Sequence, residues 1–198
     1  MTISNNLSSR PYIDKIRSKA NILSNIILRT FSPNNYDLIV NLFKTYVRPI
    51  AEYNTCSWSP YQLLDIKEIE KVQQTFTKKL CQRSNISFSS YQERLKILKL
   101  ESLQSRRVKR DLVYMYKIIH KLVDVNFADF FEFSNFNGHC LRRHNLHLLR
   151  KKPAKTQVRN NFFSVRVIKM WNDLPADTVN SQSLAIFKRE LDCIELNL

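Results

Sequence analysis

The chain has 198 residues, 43% of them hydrophobic and 25% charged, which is the balance of a globular protein. Its 32 Lys and Arg outnumber 17 Asp and Glu, and a net charge of +15 favours a polyanionic partner, nucleic acid before an acidic membrane surface. The single glycine, Gly138, excludes P-loop, Rossmann and α/β-hydrolase folds, because their ligand-binding turns need several glycines.

No apolar run approaches the roughly 18 residues that span a bilayer, and residues 1–10 lack the hydrophobic centre of a signal peptide. We therefore expect no membrane partner and an intracellular location. The cysteines are far apart in sequence, which predicts free thiols rather than disulfides or a metal site. They are Cys56, Cys81, Cys140 and Cys193.

Apolar residues spaced by three and four predict helices over residues 11–29 and 34–48, the second ended by Pro49. Ser59-Pro60-Tyr61-Gln62 has the form of a capping box and predicts a helix over residues 60–81. Ser90 and Glu93 repeat that spacing before a short helix through Leu98. Together with the single glycine, these patterns predict a mainly α fold with at most a short strand pair.

The longest predicted helix covers residues 103–123, with an apolar side that includes Leu112, Met115, Tyr116 and Leu122. Its opposite side carries a basic stripe. Either a solvated surface or a second nucleic-acid contact accounts for this stripe. Its members are Arg106, Arg110, Lys117 and Lys121.

Residues 134–172 contain no Asp or Glu. A solvated surface normally mixes both signs of charge, so this acid-free segment predicts a phosphate-binding surface. Residues 146–155 within it fit either a short strand pair or an irregular arm. The basic residues of the segment are Arg142, Arg143, Arg150, Lys151, Lys152, Lys155, Arg159, Arg166 and Lys169.

Two other clusters of residues lie within or just before this segment. His139, Cys140, His144 and His147 match no common zinc spacing, and adjacent arginines oppose a cation, so we expect no metal. The phenylalanines just before them are expected to be a buried anchor rather than a base-stacking platform. These are Phe130, Phe131 and Phe133.

The stretch "NFFSVRVIKMWNDLP", residues 161–175, predicts a two-faced helix capped by Asn160 or Asn161 and ended before Pro175. One face, which includes Trp171, is expected in the core. The other is expected to meet nucleic acid, with Phe162 as a stacking side chain. It consists of Phe162, Arg166 and Lys169.

Several blocks in order resemble the C-terminal part of the reverse transcriptase of non-LTR (LINE-type, jockey-like) retrotransposons. They are "ISNNLSSRPYIDKIRSKANILSNIILRTF", "LFKTYVRPIAEYNTCSWSP", "IEKVQQTFTKKL", "RLKILKLESLQSRRVKRDLVYMYKIIHKLVD", "GHCLRRHNLHL", "RNNFFSVRVIKMWNDLP" and "SLAIFKREL". The resemblance implies a helical thumb over residues 1–85, which in polymerases lies against the template–primer duplex. It also implies a further C-terminal region, which we expect to be basic and helical over residues 86–198. A nuclear or cytoplasmic ribonucleoprotein location follows from the same resemblance.

The family's catalytic Tyr-x-Asp-Asp loop, which binds two Mg²⁺ ions, has no counterpart, because the sequence contains no Asp-Asp. We therefore expect a non-catalytic chain without a cofactor or small-molecule substrate, which binds template–primer or element RNA through phosphates. One alternative is a larger active enzyme whose palm is encoded upstream, so that the palm domain is itself a partner. Another is a host-adopted helical interaction module or a decayed product. Phe43, Tyr46 and Trp58 are candidates for its exposed face, although ordinary burial in the core is the favoured expectation for them.

Overall fold

The computed structural model describes residues 9–134 and 148–194, and this part of the chain is mainly helical. One isolated antiparallel bridge, between Phe133 and Leu149, is the β structure among these residues. The predicted mainly α fold is therefore confirmed. The helices are α1 Arg10–Thr30, α2 Tyr36–Leu42, α3 Arg48–Glu52, α4 Thr55–Trp58, α5 Leu63–Arg83, α6 Tyr91–Ile97, α7 Leu103–Ile119, α8 Phe127–Phe130, α9 Gln157–Asn160, α10 Phe163–Asn172, α11 Ala176–Val179 and α12 Leu184–Cys193.

The chain forms two compact units, Met1–Arg107 and Val108–Leu198. In the first, the two long helices α1 and α5 pack together, as their predicted apolar faces require. Phe43 and Phe76 stack with ring centroids 4.2 Å apart at the centre of this core. The boundary predicted after residue 85 from the resemblance stays a prediction.

Pro49 does not end a helix, contrary to the prediction. Residues Phe43–Val47 form a π-helical turn in which the Arg48 N–H donates to the Phe43 carbonyl, five residues back. Pro49 then lies in the first turn of α3. A backbone N–H at that position has no acceptor within the helix, so a proline loses no hydrogen bond there. The wider turn lets the chain continue helically through a proline.

The two predicted capping boxes had different outcomes. Ser90 Oγ accepts from the Glu93 N–H at 3.2 Å and α6 follows, as predicted, although the Glu93 carboxylate reaches Ser89. The Ser59 box is wrong, because α5 begins at Leu63 after an extended Gln62 that offers no side-chain cap. The Ser59 N–H instead closes α4 on the Thr55 carbonyl.

A buried carboxylate joins three helices of the first unit. Glu70 on α5 accepts from the Leu103 and Gln104 N–H groups at 3.1 Å, so it caps α7 from a distant position. The Tyr91 hydroxyl donates to the same carboxylate at 2.5 Å, and Gln73 Nε2 donates to that hydroxyl at 3.0 Å. These bonds fix α6 and the start of α7 on α5.

The second unit is built on a cluster of buried rings. Tyr116 on α7 stacks on Phe187 of α12 with centroids 4.5 Å apart, and Trp171 of α10 lies 5.9 Å from Phe187. All three side chains are at most 1% exposed. The Tyr116 hydroxyl donates to the Ser181 carbonyl at 2.7 Å, which satisfies its polar end. The prediction that the Trp171 face is core is confirmed.

Helix α7 ends at Ile119, four residues before the predicted end. Lys121 has a left-handed φ of 53°, and the Leu122 N–H donates to the Lys117 carbonyl at 2.8 Å, which is the geometry of a helix C-terminus. Leu122 is consequently 55% exposed, so its predicted burial is wrong.

Candidate nucleic-acid interface

Hydrogen bonds hold residues 148–150, in the described part of the acid-free segment, against other residues of the second unit. The Ser134 N–H donates to the Leu148 carbonyl at 2.8 Å, and the Arg150 N–H donates to the Glu132 carbonyl at 2.9 Å. The Asn172 amide at the end of α10 pairs with both backbone groups of Leu149, at 3.0 and 2.9 Å. Among the described residues, 148–155 therefore form an irregular arm, which one bridge joins to Phe133.

The arm exposes a row of cations. Three of these cations are lysines, all within the described residues, and one of them, Lys152, has an acidic partner. Its Nζ lies 2.6 Å from Glu132 Oε1. That hydrogen bond, with the charges of Lys152 and Arg150, holds the pKa of Glu132 below its usual range. The cations form a surface whose potential favours phosphates. The exposed members are Arg150, Lys151, Lys152, Lys155 and Arg159.

An aromatic ring lies beside these cations. Thr156 caps α9 by accepting from the Arg159 N–H at 3.2 Å, which places Arg159 near the start of α10. The Arg159 guanidinium lies over the Phe162 ring, 5.1 Å from its centroid, and Phe162 is 41% exposed. Helix α10 begins at Phe163 without a side-chain cap, so the predicted caps Asn160 and Asn161 are wrong.

A cleft of about 170 Å³ separates the arm from α10. Its floor is made by Val165 and Ile168, which are 6% and 3% exposed. Arg150 and Arg159 lie at its edge, and the half-exposed ring of Phe130 forms one wall. Glu132, Lys152 and Ser164 also line the cleft, so its lining is partly apolar and partly polar or charged.

The predicted exposure of Arg166 is wrong. Its side chain is 13% exposed and its Nε lies 2.8 Å from Asp111 Oδ2 on α7. A second hydrogen bond of 3.1 Å joins Nη2 to Oδ1, and Nη1 donates to the Asn161 carbonyl at 2.9 Å. Arg166 thus compensates a buried carboxylate and is not part of the exposed row, whereas Lys169 on the same helix is exposed.

The predicted stripe on α7 is incomplete as an exposed surface. Arg106 is an ion-pair partner in the first unit, with Nε 2.5 Å from Oε1 of Glu52, a residue that is 1% exposed. Lys117 is half-buried, and Arg110 and Lys121 are exposed. The two exposed residues remain candidates for a second contact.

Other predicted features have mixed outcomes. Phe131 is buried as the expected anchor, while Phe130 and Phe133 are 47% and 42% exposed. Phe43 and Trp58 are core residues and Tyr46 is 56% exposed. The three cysteines that the structure describes form no disulfide, and its described residues contain no group of ligands able to hold a metal. Arg142, Arg143, His139, Cys140, His144 and His147 lie outside the described residues.

Sequence reasoning missed the partners that shape this site. Asp111 lies 55 residues before Arg166 and Glu132 lies 20 residues before Lys152, so no local pattern links either pair. Asn172 is an ordinary helix-ending residue in sequence, yet its amide holds the arm. The signal in the sequence was that Asp111, a charged residue, falls next to Met115 on the apolar side of α7.

Comparison with known proteins finds an uncharacterized protein of Caenorhabditis elegans that is 26% identical over 113 residues. The aligned part is 57% of this chain and 57% of that protein. No protein-family model matches the chain, and no solved structure matches it. Among the helices that the structure describes, none is long and apolar enough to cross a membrane.

Proposed function

We propose that this chain binds RNA or DNA through the phosphate backbone and is a non-catalytic piece of a retrotransposon reverse transcriptase. The observation that carries the binding proposal is the exposed row of cations on an arm fixed by Asn172 and the Phe133–Leu149 bridge. Glu132 is the acid that the structure places beside the row, and one carboxylate does not offset five cations. The ordered sequence blocks support the retrotransposon origin.

Phosphate contacts of this kind give affinity without sequence choice. Each lysine or arginine that neutralises a phosphate releases counterions, so the slope of log K against log salt changes by roughly 0.9 per contact. Phe162, with Arg159 over its ring, adds a stacking surface for a base at the end of the row. The proposed partners are template–primer or element RNA.

A double substitution tests this proposal. Lys151→Ala with Lys155→Ala removes two exposed cations from the arm, while Lys188→Ala with Arg189→Ala removes the same charge from the exposed side of α12. We expect the arm variant to weaken binding of labelled RNA and duplex DNA in anisotropy titrations and to make the salt slope shallower by about two. Equal slopes and affinities for the arm variant and the α12 control would refute the arm as the binding surface.

A second experiment addresses catalysis. The sequence lacks the aspartate pair that holds two Mg²⁺ ions in the resembling family. We therefore expect no primer extension from the purified chain with template, primer, dNTPs and Mg²⁺. Extension that survives independent purifications would overturn the non-catalytic assignment. An open reading frame that continues upstream into a palm would instead support a larger active enzyme.

A further inference from the structure

The cleft beside the arm has the dimensions of a single ring. Small-molecule sites that enclose a whole drug-sized ligand measure roughly 300–1,000 Å³, and this cleft measures about 170 Å³. A cavity of about 150 Å³ lined by aliphatic and aromatic side chains accommodates benzene. The cleft therefore suits one planar ring and is too small for a nucleotide with its sugar and phosphate.

Its lining combines apolar and charged groups, as a nucleotide does. Val165 and Ile168 form an apolar floor, and the exposed ring of Phe130 offers a face for stacking. Arg150, Arg159 and the paired side chains of Glu132 and Lys152 also line the cleft, and the two exposed arginines can meet phosphates. A free phosphate would gain nothing from this floor, whereas an aromatic base would lose its contact with water there.

We propose that this cleft receives one unstacked base of single-stranded RNA or DNA while Arg150 and Arg159 contact the flanking phosphates. The inference rests on the proposed function, because the arm supplies the electrostatic attraction. A duplex keeps its bases paired and stacked, and extruding one costs free energy that a single strand does not spend. The cleft therefore makes the chain prefer single strands to duplexes, whereas phosphate contacts alone would attract any polyanion equally.

The test uses the full chain and three probes of equal length: a single-stranded oligopyrimidine, the same strand with abasic sugars in place of its bases, and a duplex. We expect the parent chain to bind the oligopyrimidine at least about fivefold more tightly than the abasic strand, in line with base stacking on protein rings. Ala154 also lines the cleft, so Ala154→Phe should fill it. That variant should lose the preference and keep the parent's salt slope, because it changes no charge.

Phe130→Ala is a second variant, since this exposed ring can be removed with little effect on folding. It should reduce the preference for bases without abolishing attraction to the abasic strand. Equal affinity of the parent for the two single strands would overturn the base-binding cleft, as would an Ala154→Phe variant that discriminates like the parent. The proposed function would still stand if the arm variant changed the salt slope. Absence of binding to all three probes would overturn both proposals.

Discussion

Arg166 and Asp111 form a bidentate ion pair inside the second unit, with N–O distances of 2.8 and 3.1 Å. Asp111 is 2% exposed, so the arginine compensates a carboxylate that has little access to water. The pair connects α7 to α10 and thereby fixes the helix beside the basic arm. An arginine that sequence alone assigns to nucleic acid is therefore part of the structural support of the site.

Replacing Arg166 should destabilise the chain. Arg166→Ala leaves the buried Asp111 carboxylate without its partner, and breaking a buried pair in this way costs about 3–5 kcal/mol. Lys169→Ala on the same helix removes an equal charge from an exposed position and should change the free energy of unfolding by less than about 0.5 kcal/mol. Urea denaturation of both variants measures the difference. Indistinguishable unfolding free energies would contradict the importance of the pair.

Replacing Trp171 should also destabilise the chain, for a different reason. Its side chain is fully buried near Phe187, and Trp171→Ala creates a cavity at a cost of about 3–5 kcal/mol. Phe162→Ala removes an exposed ring at the start of α10 and serves as the control for losing an aromatic residue. At temperatures where the Trp171 variant is folded, its affinity for RNA should match the parent's. A weakened affinity in the folded variant would place Trp171 in the binding surface.

Tyr91 should make the unfolding free energy depend on alkaline pH. Burial and the neighbouring Glu70 carboxylate raise the pKa of Tyr91 well above its ordinary value of about 10. The folded chain therefore keeps the neutral phenol where the unfolded chain ionises it. The resulting stability is complete below about pH 10 and falls as pH rises further.

The variant Tyr91→Phe cannot ionise at this position. We expect the parent to lose more unfolding free energy than Tyr91→Phe between about pH 9 and about pH 11. Tyr46→Phe, which removes a hydroxyl from a 56% exposed side chain, controls for the substitution itself. Urea titrations at each pH provide the measurement, and parallel losses in all three proteins would count against the buried phenol.

Neutralising Glu132 should strengthen nucleic-acid binding. Glu132→Gln removes a negative charge beside Arg150 and releases Lys152 from its ion pair. Because an exposed pair contributes little to folding, a gain in affinity of up to about fivefold is expected with almost no change in stability. Asp177→Asn on α11 changes an exposed acid of the same unit and is the control. If Glu132→Gln binds nucleic acid no more tightly than Asp177→Asn does, the ion pair of Glu132 and Lys152 has no effect on binding.

Local patterns in the sequence determined the helices well. Spacings of three and four along α1, α5 and α10 predicted both the helices and their buried faces, since the side chains of one helical face lie one turn apart. The cap at Ser90 was also predictable, because donor and acceptor are three residues apart. The absence of Asp and Glu from residues 134–172 predicted a polyanion-binding surface, and this stays a prediction.

Tertiary structure decided which cations are exposed. Arg106 and Arg166 look like their surface neighbours in sequence, but Glu52 and Asp111 lie more than fifty residues away and meet them only after folding. The cleft arises in the same way, because Asn172 holds the arm beside α10 and so places Arg150 opposite Val165 and Ile168. Helical periodicity describes one helix at a time, whereas an ion pair or a cavity is a property of two segments brought together.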